Sequence, residues 1–259
     1  MKTTRIVYIL SLLFIFNSCD EKEIKSGETG KITIEFDNHV GENDLELNTP
    51  YQNSSGETFS LTKLSYYISN IRLRTVQGTE YIVPQDSSYF LINEEDPESQ
   101  EVTISNIPAG DYNQITFIIG VDSVRSKMDV SMRTGVLDSE DNEMYVDLNS
   151  GYIFLMMEGE SPESPLSGNA FNFSIGGYGG YDTPGINNIR ERTIDMGNAH
   201  ADIREDKSPE VHLHVDILEI FSDPETISIA EHPEVTISEF SKTVSANYID
   251  MFSFDHVHN

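Results

Sequence analysis

Leu61-Thr62-Lys63-Leu64-Ser65-Tyr66-Tyr67-Ile68-Ser69-Asn70-Ile71-Arg72-Leu73 reads as one long β-strand. Tyr66, Ile68, Asn70 and Arg72 alternate with Tyr67, Ser69, Ile71 and Leu73, and the aromatic and β-branched content suits a pleated surface. The same two-residue period recurs outward from it. Ile32, Ile34 and Phe36 alternate with Thr33, Glu35 and Asp37, and shorter apolar segments follow at 81–83, 89–92, 102–104, 112–121, 151–157, 171–175 and 211–215. Pro108-Ala109-Gly110-Asp111 supplies a tight turn into one of them. Helical signal is confined to 216–221 and 245–252, the second because Ala246, Ile249 and Phe252 recur every three residues. The pattern predicts an all-β chain, an antiparallel β-sandwich of Greek-key-like type with few short helices. No Pro/Ser-rich linker interrupts residues 30–259, which therefore read as one domain. Gly176, Gly177, Gly179, Gly180, Pro184 and Gly185 mark a loop over 176–188. Without a following Lys-Ser/Thr it is no phosphate cradle, and it reads as a flexible rim loop.

At the N-terminus, Lys2 and Arg5 precede an apolar run from Ile6 to Phe16, which ends in Asn17-Ser18-Cys19-Asp20. A basic start, about 11 apolar residues and a small residue before the cut make a secretion signal, too short to span a bilayer at roughly 20 residues. Cys19 is the single cysteine of the 259 residues, and it stands where bacterial lipoproteins are acylated. Residues 1–18 are thus expected to be signal peptide, and 19–29 a lipid-anchored flexible tether. The expected location is the outer membrane, facing the periplasm or the cell surface. Asp20-Glu21-Lys22-Glu23 resembles an acidic surface-export tag.

The chain carries 16 Lys and Arg against 44 Asp and Glu, a formal charge of -28. Removing the signal takes away Lys2 and Arg5 and no acid, which leaves -30. Too few basic side chains remain to release counterions from a phosphate backbone, so nucleic acid is excluded as a partner. Cations are the natural small partners. With Cys19 acylated no thiol remains, so disulfides, iron–sulfur clusters and thiolate metal sites are excluded as well.

Leu61 to Leu73 resembles a motif of the MbnP-like copper-binding family, in particular its lipoprotein branch. Five further stretches agree in order: Ile107-Pro-Ala-Gly-Asp-Tyr112 with Phe117-Ile-Ile-Gly-Val-Asp-Ser123, Gly151-Tyr-Ile-Phe-Leu-Met-Met-Glu-Gly159, Phe171-Asn-Phe-Ser-Ile-Gly-Gly177, Val215-Asp-Ile-Leu-Glu-Ile-Phe221 and Ala246-Asn-Tyr-Ile-Asp-Met-Phe252. The resemblance implies a secreted copper binder whose better-known members use histidines and a tryptophan oxidised to kynurenine by a haem partner. This chain has no tryptophan. Tyr145 and Leu148 stand where relatives tend to carry a tryptophan pair, and Ser174 where they tend to carry a histidine. The kynurenine-dependent site is therefore absent.

Any metal must be held by His, Met, carboxylate or carbonyl groups. Two of the sequence's histidine pairs have His-x-His spacing, which on a strand puts both imidazoles on one face about 7 Å apart along the backbone, a separation from which both can converge on one borderline ion such as copper or zinc. The first candidate set is His39, His256 and His258, and the second is His212 with His214. His200 and His232 read as surface residues. Met156 and Met157 occupy consecutive strand positions, so one of them is expected to face the core. Asp138-Ser-Glu-Asp-Asn-Glu143 has oxygen-donor density suited to calcium but not the register of an EF-hand. No Gly-x-Ser-x-Gly, His-Glu-x-x-His or Cys-His pair is present, so the chain is expected not to be an enzyme. The leading function is metal binding, copper before zinc and calcium. The alternative is a surface lipoprotein module without a metal site that binds an envelope protein or glycan, supported by the missing tryptophans and the aromatic glycine-rich loop.

Overall fold

The computed structural model describes residues 26–139 and 142–259. The signal segment, Cys19 and the tether up to residue 25 lie outside the described residues, as do Glu140 and Asp141 of the candidate calcium loop. The principal strands are β1 (Thr29–Val40), β2 (Thr58–Thr75), β3 (Tyr89–Asn93), β4 (Glu101–Pro108), β5 (Gly110–Ile119), β6 (Gly151–Glu160), β7 (Ala170–Gly176), β8 (Arg190–Asp195), β9 (Glu210–Asp216) and β10 (Phe252–His258). Among the described residues the two α-helices are short, α1 (Ser123–Ser126) and α2 (Ser241–Asn247).

Two sheets pack face to face. The smaller runs β10-β9-β1, with β4 and the short strand Asn43–Asp44 both pairing with the other edge of β1. The larger runs β8-β5-β2-β6-β7 and ends on Glu234–Val235. β2 is its spine: Ser60 to Tyr66 pair with β6, Ile68 to Thr75 with β5, and β3 pairs with Ser65 to Ser69. Pairing is mostly antiparallel, as the short turns dictate, but β1 and β9 run parallel. They are far apart in the chain, so no hairpin constrains their direction.

Between the sheets Phe36 and Phe252 of the smaller meet Tyr66 and Phe117 of the larger, edge to face, with ring centroids 5.2–6.5 Å apart. All four rings are fully buried, and each contributes about 2–3 kcal/mol relative to exposure. The Tyr66 hydroxyl donates to Asn38 Oδ1 at 2.8 Å, and Asn38 in turn donates to Glu94. A second apolar cluster, including Tyr67, Tyr152, Phe154 and Met156, covers the other face of the larger sheet.

That double coverage corrects two expectations. Met157 packs into the inter-sheet core and Met156 into the second cluster, so both are buried. In β2 the strict alternation breaks at Asn70, which sits at φ +53°, where the pairing with β5 slips between Ser69 and Arg72. The bulge shifts the phase by one, so Tyr66, Ile68, Ile71 and Leu73 all enter the inter-sheet core while Tyr67 faces the second.

Residues 217–221 form a 3₁₀ turn whose Leu218 N–H donates to Asp216. The helix expected at 245–252 is α2, which begins earlier and stops at Asn247, so that Phe252 opens β10. The glycine-rich loop is tied down: Tyr178 is buried and donates to the Leu148 carbonyl, and Gly179, Gly185 and Asn188 make backbone bonds within the loop.

Candidate metal centre

The outer face of the smaller sheet follows directly from alternation. In β1 the residues Ile32, Ile34, Phe36 and Val40 are buried, which turns Thr33, Glu35, Asp37 and His39 outward. In β9 Val211, Leu213 and Val215 are buried, which turns Glu210, His212, His214 and Asp216 to the same side. None of these outward positions carries Lys or Arg.

β10 joins them through one irregularity. Phe252, Ser253 and Phe254 pair with Val215, His214 and Leu213, and then Asp255 is skipped, so that His256 pairs with His212 and His258 with Glu210. Were Asp255 paired with His212 instead of being bulged out, His256 would oppose Val211 and turn inward. The bulge thus places Glu210, His212, His256 and His258 at the four corners of a cross-strand square.

One ring nitrogen from each of His212, His256 and His258 lies within 4.8 Å of the others. The His256 and His258 Nε2 atoms approach to 3.0 Å. The His212 and His256 rings stack at 4.2 Å, and His258 stands edge-on to both. His212 Nε2 is buried without a hydrogen-bond partner and lies 3.9 Å from Glu210 Oε1. Two tetrahedral bonds of about 2.05 Å separate donors by roughly 3.3 Å, so a modest ring rotation closes this set on one ion.

On His212 and His256 the other ring nitrogen faces a carboxylate. His212 Nδ1 contacts Glu35, and His256 Nδ1–H donates to Asp255 Oδ2 at 2.8 Å. A carboxylate on Nδ1 leaves the lone pair on Nε2 and raises its basicity, the arrangement found behind metal-bound imidazoles. Burial pushes the Glu35 carboxyl above its ordinary value, His212 opposes the shift, and Asp37, Glu210 and Glu101 reinforce it. Three imidazoles with a carboxylate corner suit copper and zinc.

His39 does not reach this square. β9 lies between β1 and β10, and the parallel register sets Glu35, not His39, opposite His212. Four residues further on, His39 is about 13 Å along the strand. It stacks on His214 at 4.0 Å and groups with Asp37 and Asp44, so the set His39, His256 and His258 is divided between two ends of the face, and so is the pair His212 and His214.

The remaining candidates lie elsewhere. His200 is 3.1 Å from Asp202, but Asp202 and the neighbouring Asp111 already pair with Lys207 and Arg204. His232 stacks on Phe240 at 3.7 Å. Ser174 donates to Asn172, Tyr145 lies under the Arg133 guanidinium, and Glu143 pairs with Lys63. Glu35, Glu210 and Asp255 were not singled out from the sequence. Asp255 adjoins His256 and Glu210 precedes His212 by two, whereas nothing local links Glu35 to His212.

A family model described as MbnP matches residues 29–238, a span that ends before His256 and His258. Among solved structures, MbnP from Methylosinus trichosporium has a TM-score of 0.53 at 13% identity, covering 78% of this chain and 80% of that one. A search of the curated proteins finds no match.

Proposed function

Because the chain belongs to the MbnP family, we propose that it is a non-catalytic extracytoplasmic protein that binds a metal ion, copper first and zinc second, through His212, His256 and His258. The observation that carries this reading is the square on β9 and β10, with Glu210 as the fourth corner and Glu35 and Asp255 behind the imidazoles. It replaces the kynurenine route with one that needs no tryptophan, and the copper preference rests on the family resemblance.

Capture proceeds by elementary steps. The acidic surface raises the local cation concentration, and neutral imidazoles then displace water from the ion. Protons compete for the same lone pairs, so affinity falls as the solution is acidified. Lipid on Cys19 anchors the domain to the outer membrane, with residues 19–29 as its tether, on either face.

A second reading is an interaction module that uses the apolar side chains exposed between Val124 and Leu148, among them Val130, Met132, Val136 and Val146. Copper titration of the soluble form beginning at Gly27, which contains every described element, separates the two. Tight one-equivalent binding that disappears in His212→Ala/His256→Ala/His258→Ala supports the metal reading. Binding no stronger than that of scattered surface histidines, or unchanged in the triple variant, overturns it.

A further inference from the structure

The opposite end of the same sheet face carries a separate set of donors. A tight turn after β1 brings Asp44 directly across from His39, and Asp37 lies two residues before it on the same side. A ligand atom from each of the three lies within 4.8 Å of the others. The His39 side chain keeps only 15% of its exposure, and His214 stacks against it.

The two ring nitrogens of His39 differ. Nε2–H donates to Asp37 Oδ2 at 2.9 Å, which places the lone pair on Nδ1. Nδ1 is buried, has no hydrogen-bond partner and faces Asp44 Oδ1 across 3.9 Å. That gap is too long for a hydrogen bond, whose heavy atoms approach to about 3.2 Å or less. A lone pair and a carboxylate oxygen at that separation repel each other unless a cation lies between them. Nitrogen and oxygen bonds of about 2.0–2.2 Å to one tetrahedral ion span roughly 3.4 Å, so a half-ångström approach of the exposed Asp44 side chain closes the bridge. No local lysine or arginine competes: the outward positions of β1 from Thr33 to His39, and of β9 from Glu210 to Asp216, carry none. The remaining carboxylate nearby, Asp216, directs Oδ1 at the N–H groups of Gly41 and Leu218.

We infer that His39 and Asp44, with Asp37 orienting the imidazole, form a second cation site on this face, taking a zinc-like divalent ion rather than monovalent copper. The donor set decides the class: one imidazole and carboxylate oxygens suit a borderline-to-hard dication, whereas Cu(I) favours softer ligands. The site shares no residue with the histidine square and stands or falls independently of it.

Zn²⁺ titration by calorimetry, with metal analysis of the saturated soluble chain, tests the inference. Two equivalents are expected. Asp44→Asn and His39→Ala should each lower the count by one, and His212→Ala/His256→Ala/His258→Ala should retain the His39 equivalent. ¹⁵N spectra should show the His39 Nδ1 resonance moving on zinc addition in that triple variant. Because Asp44 is exposed, its substitution leaves the fold intact, which circular dichroism verifies. If the triple variant binds no zinc, or both single variants keep the wild-type count, or His39 Nδ1 stays unmoved and protonated between the two aspartates, the second site is overturned. One equivalent lost only with His39 or Asp44 would instead overturn zinc binding at the histidine square and leave this site standing.

Discussion

Glu35 illustrates how one side chain serves two ends that conflict. It abuts His212 Nδ1 from the neighbouring strand, and burial holds its carboxyl above the ordinary value. A folded-state pKa above the unfolded one means that the folded protein binds the proton more tightly, so stability is lost as pH rises through that raised value. Glu35→Gln removes the ionised form. Without metal, the variant should match the wild type near pH 4 in thermal unfolding and equal or exceed it at pH 7. Its copper affinity should nevertheless fall about 10–100-fold, the usual loss when an outer-shell carboxylate is replaced. Competition titration at pH 7 reads the second effect. A variant that loses stability at pH 7 would show that the carboxylate is mainly structural. Asn70 is the other residue whose backbone decides more than its side chain does. At φ +53° it occupies the left-handed region, which costs most residues about 1–2 kcal/mol. Asn70→Gly should therefore be close to neutral, and Asn70→Val should lower the unfolding free energy by at least that amount, measured by equilibrium unfolding in urea.

At the scale of elements, β10 depends on a single extra residue. Asp255 makes the slip that sets His256 opposite His212 and His258 opposite Glu210, and it also supports His256 through its carboxylate. The two roles separate experimentally. Asp255→Asn keeps the bulge and should weaken copper binding only by the 10–100-fold of a lost outer-shell partner. Deleting Asp255 restores a plain antiparallel ladder in which His256 follows Phe254 directly and still opposes His212, so it removes the bulge and the carboxylate while leaving both histidines on the outer face. Its copper affinity should fall by a similar 10–100-fold and stay well above that of the triple histidine variant. Loss of all tight binding by the deletion variant would show that the bulge itself, and not only the cross-strand register, brings the imidazoles together. The contrast between β1 and β10 is instructive. β1 keeps its alternation unbroken for its whole length, so its outward residues were readable at once, whereas β10 changes phase in the middle.

For the whole molecule, stability resides where the two sheets meet. Phe36 touches Tyr66, Phe117 and Phe252, and its loss opens a cavity that three rings cannot collapse to fill. Phe36→Ala should cost about 3–5 kcal/mol, read as a large drop in the denaturant midpoint. Because Phe36 and His212 lie on opposite sides of the same sheet, the variant should keep its copper affinity wherever it remains folded. The strand segments were legible because a half-buried strand writes its faces into the sequence every second residue, as Ile32, Ile34 and Phe36 do against Thr33 and Glu35. β8 was not, since Ile194 is its one buried apolar residue and no alternation marks it. Alternation assigns only one of Met156 and Met157 to the core, because periodicity reports the faces of a strand but not whether both are covered. The sequence by itself determined the β class, the outward aim of His212 and His214 beside Val211, Leu213 and Val215, the acidity of the surface and the lack of any thiol after Cys19. Only the tertiary structure decided which histidines meet, since strand order, the parallel register of β1 with β9 and the slip at Asp255 arise from burying two sheets together. Local alternation fixes the face of a side chain, and long-range pairing fixes its neighbour.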